Sequence, residues 1–231
     1  MMLKLIDFLI DILQFFKRSL IRFRVDLRLN KSKRNNKPDN QHLDVYWKKD
    51  FATELDLWGK DDVWIEIKYL LGDKKGKVLD ICCGTGGTIN ELKNFRELDI
   101  HGCDISDFLI QKAISSGISE DKLKVHDASN TSYADNEFDY SYSIGSLEHF
   151  TLDGISSFIK ETKRITKKVS YHQVPVAIDK KFEGWLELDQ SYFNMNEKWW
   201  LDHFKRYYDN VLVVNSFWHD PISNGKWFIC Y

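Results

Sequence analysis

The feature that most restricts what this chain can fold into is a strand, turn and helix over residues 77–92. Lys77-Val78-Leu79-Asp80-Ile81-Cys82 is an apolar run opening into Gly84-Thr85-Gly86-Gly87, with Ile89 and Leu92 at helical spacing behind it. A short apolar run of this kind suits a strand buried on both faces of a parallel sheet. The rest of the chain supplies the partners such a strand needs. A helix is expected over 61–71, where Gly72 ends it. Strands are expected over 98–104, 123–126, 138–144 and 169–174, and helices between them carry Phe108, Leu109, Ala113 and Ile114, then Ile155, Phe158, Ile159 and Ile165. Ser106 stands where the first of these needs an N-cap. Alternation at this spacing builds βαβ units with right-handed crossovers, an α/β fold. A helix over 197–207 and two last strands, 211–218 and 226–231, close the chain as a hairpin, so one of the pair runs antiparallel.

Composition bounds the rest. The 231 residues, 43% hydrophobic and 29% charged, can bury a full core, which excludes disorder and a disulfide scaffold. Cys82, Cys83, Cys103 and Cys230 lie in apolar stretches without metal-ligand spacing, as expected of reduced, cytoplasmic thiols. The net charge of −2 conceals two unlike parts. Residues 1–37 carry ten Lys and Arg against three Asp, and the remainder carries 23 against 32.

The basic part reads as an amphipathic helix over 1–29 and a basic linker. Met2, Leu5, Leu9, Ile12, Phe16, Leu20, Phe23 and Leu27 form one stripe, too short and interrupted to span a bilayer. The stripe beside Lys17, Arg18, Arg22 and Arg24 suits a peripheral position at the inner face of an anionic membrane. Pairing with another protein or with its own copy is a second reading, and packing on the following domain a third. No nucleic-acid partner is expected. The boundary is set at Pro38, with 1–37 as arm and linker and 38–231 as the main domain.

The glycine turn does not match a dinucleotide site, because Ile89 occupies the position where close helix packing needs a small residue. A phosphate loop ending in Gly-Lys-Ser/Thr is absent. Asp80, Asp104 and Asp127 end successive strands instead, so three carboxylates ring the crevice at the carboxyl edge of the sheet. That arrangement repels a pyrophosphate and attracts a cation.

At this point the chain resembles a known family. Val78 to Gly87 is similar to the first motif of class I S-adenosylmethionine-dependent methyltransferases. Val125-His126-Asp127-Ala128 and the block from Tyr133 through Ser146-Leu147-Glu148-His149 resemble later motifs in the same order. The resemblance covers about residues 45–231. It implies a Rossmann-like sheet of seven strands, mostly parallel, with a C-terminal antiparallel hairpin and helices on both faces. It implies S-adenosyl-L-methionine as cofactor, with Asp80, Gly84 and Gly86 along its methionine part. By the same match Asp104 meets the ribose, Asp127 the adenine amine, Ile105 and Ala128 the adenine ring, and Ser143 the fourth-strand edge of the site. Cys82 replaces the usual first glycine of the turn.

Methyl transfer to a hydroxyl benefits from a nearby base. His149, beyond the fourth strand, is the candidate; its bland reading is that it and Glu148 only start a helix. His172 and Gln173 end the fifth strand, where they either meet the acceptor or satisfy backbone groups. The aromatic stretch over 182–193, with Trp185 and Tyr192, is the expected acceptor wall. No metal is expected, because Gly145 takes the place of one Glu of a Glu-x-x-Glu-His pattern. The expected activity is O-methylation of a small molecule, lipid or lipid-linked glycan. The alternatives are a non-catalytic scaffold and a protein or RNA methyltransferase docked by the arm.

Overall fold

The computed structural model describes residues 12, 13, 15–17, 19, 20, 23, 24, 27, 41–188 and 190–231. One seven-stranded sheet organises the chain, in the order β3-β2-β1-β4-β5-β9-β8. β1 (Gly76–Ile81) lies between β2 (Leu98–Asp104) and β4 (Phe138–Ile144), parallel to both, and β3 (Leu123–Val125) and β5 (Thr166–Ala177) extend it in parallel on either side. β9 (Ser223–Cys230) pairs antiparallel with β5 and with β8 (Val211–His219), as the terminal hairpin requires. The chain order reverses beside β1, which places the crevice at the carboxyl ends of β1 and β4.

Beyond the arm, the described residues form six α-helices: α1 (Lys49–Leu55), α2 (Val63–Leu71), α3 (Gly87–Leu92), α4 (Asp107–Ser115), α5 (Leu152–Ile165) and α6 (Glu197–Phe204). α4 is capped by Ser106, whose Oγ accepts from the Leu109 amide. One face of the sheet packs Phe138, Phe158, Trp200, Phe204 and Phe228 together under α5 and α6. The other face packs Val63, Trp64, Ile67, Tyr142 and Trp227 under α2. A two-stranded sheet of β6 (Gly184–Leu186) and β7 (Tyr192–Asn194) lies in a stretch where the sequence showed only aromatic density.

The described arm residues are all helical, and Leu13, Phe16, Leu20, Phe23 and Leu27 are each more than half exposed. Their exposure does not match the reading in which the arm packs on the domain. Residues 1–11 and the linker over 28–40, including the expected boundary at Pro38, lie outside the described residues. Among the described residues no helix is long and apolar enough to cross a membrane.

The hairpin is locked by a buried carboxylate. The β8–β9 register shifts between Asn215 and His219, which frees the Phe217 N–H from the ladder. Glu66 of α2 takes that N–H and also accepts from Ser216 Oγ and Trp227 Nε1, each at 2.7 Å. Glu66→Leu strands all three donors, so it is expected to cost about 2–4 kcal/mol, measured by chemical denaturation.

Candidate active site

The crevice is a cleft of about 640 Å³ lined from β1, β2, β4, β5, the segment over 41–58, and Leu188, Gln190 and Tyr192. Its floor is the glycine turn. Cys82 and Gly84 have φ of 63° and 55°, and Gly86 has φ of 77° as it opens α3. The turn is left-handed where the first family glycine would stand, so Cys82 bears a strain of about 1–2 kcal/mol that glycine would avoid. A Cβ on Gly86 would meet Ile118 at 2.3 Å, and one on Gly84 would sit 3.1 Å from Leu55 of α1. Gly86 therefore serves the backbone turn, while Gly84 faces the cleft.

Asp104 holds the turn in place. Its Oδ2 accepts from the Gly84 amide and its Oδ1 from the Ser106 amide, both at 2.9 Å. Burial pushes its carboxyl up, and these backbone donors oppose the shift. Asp80, 4% exposed, accepts from Thr88 Oγ1, and burial pushes it up to about 7. Asp127 is exposed beside the buried Ala128, its Oδ1 bonded to the amide and hydroxyl of Ser129. With Ile105 and Leu109, these residues line one half of the cleft. Carboxylates with apolar neighbours suit a nucleoside cofactor that carries a cation.

A strap closes this half. The 3₁₀ turn Asp44–Trp47 is fixed where Ser106 Oγ donates to the Tyr46 carbonyl and Trp47 Nε1 donates to Asp107, both at 2.8 Å. Gln190 Nε2 donates to Tyr46 Oη at 3.4 Å, and His42 Nδ1 lies 3.0 Å from Ser191 Oγ.

The other half holds Glu148, His149, Gln173, Tyr192 and Trp218. His149 Nδ1 lies 2.8 Å from the Ser191 carbonyl, which fixes this nitrogen as the N–H and leaves Nε2, 3.8 Å from Glu148 Oε1, without it. Burial lowers His149 to about 4 rather than leaving it near neutrality, and raises Glu148 to about 8.

Four expected residues stand elsewhere: Gly86, which turns toward Ile118 and Ala113 rather than into the cleft, and three more. His172 is fully buried between Phe158 and Phe204, its Nδ1 2.9 Å from Ser143 Oγ. Strand alternation turns it, and Ser143 across from it on β4, to the α5–α6 face, so neither lines the cleft. Trp185 stacks edge-on against Phe193 in the small sheet and is likewise no part of the lining. The sequence reading did not single out Trp218, Asp220 or Gln190 for this cleft, because they arrive from the hairpin and from a loop far along the chain.

Residues 78–169 match a family model described as a methyltransferase domain. A sterol 24-C-methyltransferase of Gibberella zeae is 34% identical over 109 residues, 44% of this chain and 28% of that protein. One of Schizosaccharomyces pombe is 31% identical over 96 residues, 38% of this chain and 25% of that protein. The matches thus span about a quarter of these relatives' length. Among solved structures, the phosphoethanolamine N-methyltransferase 2 of Haemonchus contortus, bound to phosphomonomethylethanolamine and S-adenosylhomocysteine, superposes with a TM-score of 0.61 at 16% identity, over 78% of this chain and 56% of that one. An S-adenosylmethionine-dependent methyltransferase from Methanosarcina mazei gives 0.58 at 20%, over 71% and 95%. The partial family match and the shared fold thus make this chain similar to S-adenosylmethionine-dependent methyltransferases.

A cation entering the cleft favours ionised Asp80, whose proton must leave first. Affinity for S-adenosylmethionine is therefore expected to rise about tenfold between pH 6 and pH 8 by calorimetry, and Asp80→Asn to flatten that dependence. Asp104→Ala should weaken binding at every pH, since both the turn and its carboxylate are lost.

Proposed function

We propose that this chain transfers the methyl group of S-adenosylmethionine to an oxygen of a small-molecule or lipid acceptor at a membrane surface. The observation that carries this reading is the single cleft joining the Gly84–Asp104 turn to the His149–Tyr192 wall. Bound S-adenosylmethionine supplies a sulfonium methyl to an in-line nucleophile. In this reading Asp104 holds the ribose, Asp127 the adenine amine, Ile105 and Ala128 flank the ring, and Asp80 and Gly84 face the methionine part. The strap excludes water, and the cleft walls orient the acceptor.

His149 is the proton acceptor in this scheme. Its neutral imidazole is too weak a base to strip a hydroxyl beforehand. It suffices to collect the proton from the strongly acidic oxonium that forms on the acceptor as the methyl arrives. His149→Ala is expected to lower kcat about 100-fold while S-adenosylmethionine affinity stays within twofold. The assay follows S-adenosylhomocysteine release with lipid extract and with polar metabolites as separate acceptor pools. Calorimetric binding of the cofactor with no release in either pool would favour the scaffold alternative. The curated relatives are named for carbon methylation and the Haemonchus enzyme for nitrogen methylation, so oxygen as the acceptor atom is part of this proposal and not taken from them.

The arm supports the membrane part. Phe16, Leu20 and Phe23 are exposed on a helix that also exposes Lys17 and Arg24. An apolar stripe beside cations fits an anionic interface, each cation near the surface contributing about 1 kcal/mol. The full chain is expected to bind phosphatidylserine-containing vesicles, and replacement of Phe16, Leu20 and Phe23 by Ser to reduce binding at least tenfold in sedimentation.

A further inference from the structure

The acceptor half of the cleft contains buried polar atoms with nothing to bond. Glu148, 5% exposed, has no partner at Oε2, and Gln173, 1% exposed, has none at Oε1 or Nε2. Buried polar groups are ordinarily paired, so three such atoms in one cleft mark a place prepared for a ligand. The backbone makes room for them. A Cβ on Gly225 of β9 would lie 2.6 Å from Gln173 Nε2, so glycine there leaves the amide room in its present position. The Gly145 amide donates to the Gln173 carbonyl at 3.1 Å, which sets the loop bearing Glu148 beside β5.

We infer that Gln173 and Glu148 bind the uncharged, oxygen-bearing polar head of the acceptor, against an aromatic wall of Trp58, Tyr192 and Trp218. This rests on methyl transfer taking place in this cleft. Charge excludes the anionic classes: among the described lining residues Lys48 is the one cation, against seven acidic side chains of which Glu148 is held protonated. A phosphate or carboxylate head would enter without a counter-charge. An ammonium offers donors only and would leave the Gln173 NH₂ unpaired. A hydroxyl or hydroxyl–carbonyl head both gives and accepts, so it satisfies the amide and the carboxyl together. Lipid-linked phosphates and RNA are thereby disfavoured as acceptors, and neutral alcohols, phenols and enols favoured.

The test uses the full chain with methyl-labelled S-adenosylmethionine and an extract of the source cells, separated by ion exchange into anionic, cationic and neutral pools. Label in the neutral pool is the expected result. Label confined to a retained pool overturns the acceptor class but leaves methyl transfer standing. No label in any pool, with cofactor bound, overturns methyl transfer and this assignment with it. For the labelled compound, Gln173→Leu is expected to raise KM at least tenfold with cofactor affinity within twofold. It should also raise the Tm of the free protein by about 2–4 °C, because an unpaired buried amide is removed. Glu148→Gln, which keeps the shape, should raise KM with little change in Tm. A KM within twofold of wild type in both variants overturns the assignment, whatever the Tm.

Discussion

The site depends on one buried carboxylate at the end of β2. Asp104 accepts from the amides of Gly84 and Ser106, so a single side chain ties the glycine turn to the start of α4. The turn is left-handed at Cys82, Gly84 and Gly86, a conformation that needs an external brace. The same Ser106 caps α4 and donates to Tyr46, so the strap over the cofactor half is hung from the same point.

Two buried carboxylates serve different ends by their pairing. Glu66 is fully bonded, and its three donors lock a bulged hairpin to α2. Glu148 is left half-bonded in the cleft, where burial keeps it protonated at neutral pH. Paired at both oxygens, Glu66 holds the fold, whereas Glu148 faces the cleft with one oxygen unpaired. Ser143 and His172 pair with each other through Nδ1 inside the α5–α6 core, where His172 Nε2 is left unpaired.

Much of this was legible in the chain. The alternation of apolar runs with helical spacing specified the parallel sheet, and the limits of β2 and β4 fall where the pattern put them. Asp80, Gly84, Asp104, Ile105, Asp127 and Ala128 do gather at one cleft, because strand ends in an open sheet share one edge. Trp185 was misplaced because aromatic density does not say which side of a small hairpin faces a pocket.

The sequence by itself determined the strand order's local logic, the acidic row and the amphipathic arm, since periodicity and spacing are properties of neighbouring residues. Only the tertiary structure decided which residues of β5 face the cleft. A strand exposes alternate residues to opposite layers, so Gln173 enters the site while His172, one residue away, is buried behind it. Tertiary packing also decided the protonation of Glu148 and His149, because desolvation depends on what surrounds a group and not on its place in the chain.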